Sequence, residues 1–152
     1  MNFPRATGLL DAPLLTLWVG GQWAIGYLAV PVLFQMLEDR RLAGTLAGEM
    51  FTAVAYVGLA CGSLLMASLL YREGVAAWRN WRLGVLALML GLILAGEFGL
   101  HPQVAALRES GFAEGSEEAG RFARLHGLAS MLYLVNSLLG LGLVMAGSRR
   151  GD

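Results

Sequence analysis

The sequence predicts an all-α integral membrane protein, a four-transmembrane-helix bundle, and three observations carry that reading. Of 152 residues, 57% are hydrophobic and only 14% charged, with mean hydropathy +0.60, whereas a soluble domain carries about a quarter charged residues. Four apolar segments, roughly 14–37, 50–71, 83–100 and 125–146, reach the length of about 20 residues that a helix needs to cross a hydrocarbon core. Lipid offers backbone groups no hydrogen bonds, so each segment must be helical or belong to a closed barrel. These runs are continuous, with no period-two alternation, which excludes the barrel. The chain reads as one domain, with a longer loop or helical extension between its third and fourth spans.

The boundaries of each span follow from local chemistry. The first span ends before "EDRRLAGTLAGE", a short charged connection to the second. Trp78 and Trp81 stand beside Arg79 and Arg82, the composition of an interfacial anchor ahead of the third span. Pro102 disfavours α geometry at His101 and suits the first position of a new helix. Ser116, followed by Glu117 and Glu118, is a good N-cap with acidic residues at the positive helix end. The helix it starts should run through Arg121 and His126 into the membrane and project beyond the lipid surface.

Small residues mark where helices approach closely. Gly58 and Gly62 are four apart, as are Ala87, Gly91, Ala95 and Gly99 on the third span. Packing within the bundle is the simpler reading of both sets; a homo-oligomer face or a membrane protein partner is the other. No repeat of 20 to 50 residues is visible.

Polar residues near or inside the membrane are the candidates for function. Glu97 is the one carboxylate well inside a predicted span. His101 follows four residues later, so the two share a face if the helix continues, and that face lies away from the small-residue stripe. Connectivity places His126 at the same membrane side, with Glu49 and Gln35 near in depth. Two histidines and a carboxylate could hold a transition metal, although no HExxH-like motif is present. Alternatively Glu97 and His101 form a local ion pair while His126 bonds to a neighbouring helix, or the cluster transfers protons. Gln22 and Asn136 should hydrogen-bond between helices, Ser130 should bond a backbone carbonyl, and Cys61 should be a small buried side chain.

Other classes are excluded or unsupported. Net charge is zero and no basic block exists, which argues against nucleic acid as a partner. A lone cysteine permits neither an intramolecular disulfide nor a paired-cysteine metal motif. No nucleophile–base pair or phosphate-binding glycine loop stands out, so enzyme chemistry, including a haem held by the two histidines, has little support. All eleven basic residues are arginine, as G+C-rich bacterial codon usage produces, which points to a bacterial inner membrane. The opening "MNFPRATGLLDAPLL" lacks the pattern of a removed signal peptide.

The stretch "FARLHGLASMLYLVNSLLGLGL" resembles the last-helix signature of the transmembrane protein 205-like family, in which an aromatic precedes a His-Gly-Leu-Ser-Ser-like run. "WVGGQWAIGYLAVPVLFQMLEDRRLAGTLAGEMF" resembles that family's opening, with its small residues and Pro-x-x-Phe element, and "HPQVAALRE" its proline segment after the third helix. The likeness spans nearly the whole chain. Ala129 stands where the family often has serine, leaving Ser130 as the hydroxyl; His101 stands where the family also admits glutamate. The resemblance implies four membrane helices and a largely uncharacterised function.

The combined expectation is a binding or transport component with a polar site opposite the termini, with His126 as principal residue and Glu97 and His101 in support. A scaffold joining another protein through Gly58 and Gly62 or the third loop is the alternative. His126 is expected among helices, within reach of the third helix. Six arginines (Arg5, Arg72, Arg79, Arg82, Arg149, Arg150) fall on the side of the termini and five (Arg40, Arg41, Arg108, Arg121, Arg124) opposite, so the termini are expected inside. In a Cys61→Ser background, Gly115→Cys should label from outside intact cells and Gly151→Cys should not. External labelling of Gly151→Cys reverses the orientation.

Overall fold

The computed structural model describes residues 10–113 and 115–148. Arg5, Arg149, Arg150 and Gly151 of the orientation argument, and most of the segment read for a signal peptide, lie outside the described residues. Four long helices, apolar enough to cross a membrane, account for nearly all of it: α1 (Asp11–Met36), α2 (Arg40–Glu73), α3 (Trp81–Ser110) and α4 (Glu117–Ser148). A 3₁₀ turn, Gly74–Arg79, joins α2 to α3. No strand occurs among the described residues. The helices form a ring in which each packs on its sequence neighbours and α4 closes on the first half of α1.

Caps fix where the helices begin and end. Asp39 accepts hydrogen bonds from the backbone N–H groups of Arg41 (2.8 Å) and Leu42 (3.1 Å), and Asn80 from that of Arg82 (3.0 Å). The Ser116 hydroxyl accepts from the N–H of Ala119 (3.1 Å), so α4 starts as its sequence signal requires. Gly111 ends α3 at φ +67°, a conformation that side chains with a Cβ rarely adopt.

Each odd-numbered helix contains one π-helical stretch, Ala24–Ala29 in α1 and Ala95–Leu100 in α3. Both lie just ahead of a proline, Pro31 and Pro102. A proline inside a helix removes one N–H and drives its ring against the carbonyl four residues earlier. Here those carbonyls belong to Tyr27 and Phe98, each within its π stretch, and the wider turn gives the ring room. His101 therefore stays helical (φ −54°, ψ −46°), and α3 runs on to Ser110 instead of breaking at the proline. The two stretches, and the two prolines, are each 71 residues apart in sequence.

The bundle is solid at one end and hollow at the other. Toward the termini, Trp18, Cys61, Leu65, Leu86, Met89 and Leu143 form the principal core. Asp11 binds the Arg72 guanidinium (2.6 Å) and accepts from the Ser68 hydroxyl (3.0 Å), tying α1 to α2 at that end. Gly58 and Gly62 make this half possible. A Cβ on Gly58 would lie 2.5 Å from the indole nitrogen of Trp18, and one on Gly62 2.9 Å from its ring. Trp18 is thus seated in a glycine groove of α2. The stripe Ala87, Gly91, Ala95 and Gly99 behaves otherwise: all four are exposed, and Gly91 and Gly99 have no neighbour within 4 Å of a built Cβ. It does not pack within the chain, because α3 turns its Leu86, Met89 and Ile93 side inward instead.

Gly58→Leu or Gly62→Leu should destabilise the detergent-solubilised protein by about 1–3 kcal/mol, since the buried indole cannot move aside. Gly91→Leu should leave the melting temperature unchanged. Thermal unfolding of the three variants checks both statements; equal melting of all three would mean Trp18 is not held by α2.

Candidate functional site

The hollow half contains a cavity of about 480 Å³, walled by all four helices. That lies within the range of about 300–1,000 Å³ typical of small-molecule sites. Its floor, near the middle of the bundle, is formed by Trp18, Gln22 and Asn136. Apolar walls rise from there, through Val54, Ala55, Leu92 and Ile93. Both π stretches face it, through Gly26 and Tyr27 of α1 and Gly96 and Glu97 of α3. Widened turns are common at functional sites, and here they line the same space.

The polar end begins with Glu97, whose side chain is 11% exposed. Its Oε1 accepts a hydrogen bond from the Thr52 hydroxyl (2.8 Å) and lies 3.5 Å from His101 Nδ1. The continuous helix makes this pair, because residues four apart share a face. Farther along, Arg108 lies over Gly44 and Gly48 of α2. A Cβ on Gly48 would stand 3.3 Å from His101 Nε2 and 3.5 Å from Arg108 Nη1, so both nitrogens lie against the same glycine of α2. Among the described residues the Arg108 guanidinium has no hydrogen bond or ion pair, although its backbone carbonyl accepts from Arg41 Nη2 (2.8 Å). Arg41 also reaches the carbonyl of Glu109 (3.3 Å) and so anchors the end of α3.

The floor differs from expectation. Gln22 and Asn136 are buried, at 2% and 4% exposure, and line the cavity without bonding between helices. Gln22 Oε1 and Asn136 Oδ1 have no hydrogen-bond partner among the described residues. The interhelical bonds come from residues that sequence reasoning passed over. Tyr133 passes beside Gly26 and donates to the carbonyl of Gln22. The Tyr27 and Ser137 hydroxyls pair at 2.7 Å, and Trp23 Nε1 donates to the Ser137 carbonyl (3.3 Å).

The remaining candidates divide. His126 lines the cavity but is exposed, stacked on Phe122 one turn earlier at 5.7 Å between ring centres. It is not buried among helices, although His101–Ser110 of α3 packs against α4. Ser130 lines the cavity and donates to the His126 carbonyl (2.9 Å), as its spacing implies. Glu49 and Gln35 are exposed and take no part in the lining; each points off the outer face of its helix. Glu97 and His101 come together, but no group of three His, Cys, Asp or Glu side chains arranged to hold a metal occurs among the described residues.

One seam of the wall is open. The first half of α1 packs on both α2 and α4, whereas Val30–Met36 packs on α2 without a comparable contact to α4. Tyr27, Phe34 and Leu134 line the cavity and are nevertheless exposed, so it opens between α1 and α4.

Residues 14–113 match the family described as Domain of unknown function (DUF4149). No curated protein and no solved structure matches the chain. The matched residues include Glu97, His101 and Arg108 and the whole of α2, while α4 lies beyond them. With well over half its length matched, from the first helix to the end of the third, the chain belongs to the DUF4149 family, whose function is uncharacterised.

Proposed function

We propose that the protein binds a small amphipathic molecule, taken up sideways from the bilayer into the hollow half of the bundle. The single observation that carries this reading is the cavity itself: apolar walls, a polar end at Glu97, His101 and Arg108, and an open seam between α1 and α4. A ligand in lipid must arrive through a helix seam, and an apolar one needs no aqueous path. This moves the principal polar residue from His126 to the α3 face, with His126 and Ser130 at the rim. The same reading places the chain in a bacterial inner membrane with its termini inside, and rests there on arginine usage and the small arginine asymmetry. Its likeness to the transmembrane protein 205-like family belongs here too, and adds no ligand.

A scaffold role has one observation in its favour, the exposed small-residue stripe on α3, where a second helix could approach closely. It would no longer use Gly58 and Gly62, which hold Trp18.

Lipid extracts of the purified protein test the binding reading. The parent should carry a bound amphiphile at a fixed ratio to protein, resolved by mass spectrometry after delipidating washes. Ala129→Phe, which fills the cavity from α4, should reduce that ratio severalfold at an unchanged melting temperature. Equal retention by parent and variant would remove the cavity as the binding site; a fixed protein partner with no bound amphiphile would favour the scaffold.

A further inference from the structure

The polar end of the cavity is built around a cation rather than around the histidines that first drew notice. Arg108 sits two turns beyond His101 on α3, and Gly44 and Gly48 are the reason it can lie down against α2. A Cβ on Gly44 would stand 3.2 Å from its Nε, tighter than ordinary contact. Its guanidinium keeps five donors with no acceptor among the described residues. A half-buried cation without a partner is costly to keep at a membrane boundary, and Arg108 lines the cavity instead of reaching away into solvent.

His101 completes a two-point arrangement. Its Nδ1 faces Glu97 and Thr52, so Nε2 is the ring nitrogen left for the cavity, beside Arg108 Nη1 over Gly48. Two nitrogens lying side by side against one glycine suit an oxyanion, whose separate oxygens take a charge-assisted bond from each. Glu97 lies deeper, and its charge is met by Thr52 and His101 rather than turned toward Arg108. Beyond these groups the cavity is apolar down to Gln22 and Asn136. The whole lining along α3, polar end included, runs from Arg108 to Leu92, about 24 Å at 1.5 Å per residue.

We propose that the ligand is a single-chain amphiphile with an oxyanion head, a carboxylate or phosphate, held between Arg108 and His101, with its acyl chain running inward along the α1–α4 seam. The proposal rests on the cavity reading above and adds the chemistry of the head. The long apolar walls and the exposed Tyr27, Phe34 and Leu134 at the seam favour a chain-bearing anion over a soluble one, which would leave that surface uncovered.

The test uses the purified full chain in a neutral detergent, with oleate, oleyl phosphate, oleyl alcohol and inorganic phosphate as probes. Retention is measured by native mass spectrometry, and protection by thermal unfolding. One oleate or oleyl phosphate should be retained per chain, oleyl alcohol at least about tenfold less, since it forgoes the bonds to a charged head. Arg108→Gln should lose that preference, and Arg108→Lys should keep much of it. Equal retention of oleyl alcohol and oleate by the parent overturns the head-group proposal while leaving an amphiphile-binding cavity. Protection by inorganic phosphate alone equal to that by oleyl phosphate overturns the chain, and retention of none of the three chain-bearing probes overturns both. Should Arg108→Gln fail to fold, the parent's ratio of oleate to oleyl alcohol still decides.

Discussion

Hydrocarbon offers a polypeptide no hydrogen bonds, and that constraint governs this chain from its backbone to its cavity. Every carbonyl inside the bilayer must find its partner within the helices. A proline in mid-span therefore creates a problem that neighbouring backbone must solve. Pro31 and Pro102 each remove one donor, and in each case the preceding residues relax into a π-helical turn instead of ending the helix. Because α3 survives its proline, Glu97, His101 and Arg108 stand on one continuous helix and face one space. Had the helix broken at Pro102, His101 and Arg108 would belong to a loop and Glu97 would end a span alone.

The same bundle has to be rigid somewhere. Cohesion is concentrated toward the termini, where Trp18 occupies the groove of Gly58 and Gly62 and Met89 packs beneath Gly140. Without a hydrophobic driving force between helices in lipid, close packing of this kind is the main source of association. The indole of Trp18 is at once part of that core and part of the cavity floor. The solid half fixes the four helices, and the other half can then remain open between α1 and α4.

Four helices, the Ser116 cap and the Gly58–Gly62 groove were legible in the sequence because each is a local or periodic signal. The pairing of Glu97 with His101 was legible for the same reason, being a matter of helical spacing. Arg108 was not, since its place against Gly44 and Gly48 depends on a tertiary approach that no local signal marks. The direction of the α3 stripe was misjudged because small residues mark close approach without saying to what. Gln22 and Asn136 were placed correctly inside the bundle, but which partner an amide finds is set by neighbouring helices. The 71-residue correspondence between the two proline-linked stretches escaped a search for shorter repeats, and it joins backbone features that carry little sequence likeness.

The two ends of the cavity carry complementary demands. At the floor, two buried amide oxygens lack partners among the described residues, and each such group costs about 1–3 kcal/mol when left unsatisfied. At the far end the Arg108 guanidinium, without an acceptor among the described residues, faces the same space. Between them the walls ask only for apolar surface. A cavity lined in this way is least stable when it contains hydrocarbon alone, because hydrocarbon satisfies neither end. Bulk lipid pressing into the α1–α4 seam would cover the walls and leave the amides and Arg108 uncompensated. A molecule polar at its head and apolar along its length relieves the larger of these costs, the charge, and water at the floor can relieve the smaller. On the proposed reading, selectivity would arise from what the bundle withholds as much as from what it offers: Thr52 and His101 meet Glu97, Arg41 holds the end of α3, and Arg108 is left for a ligand.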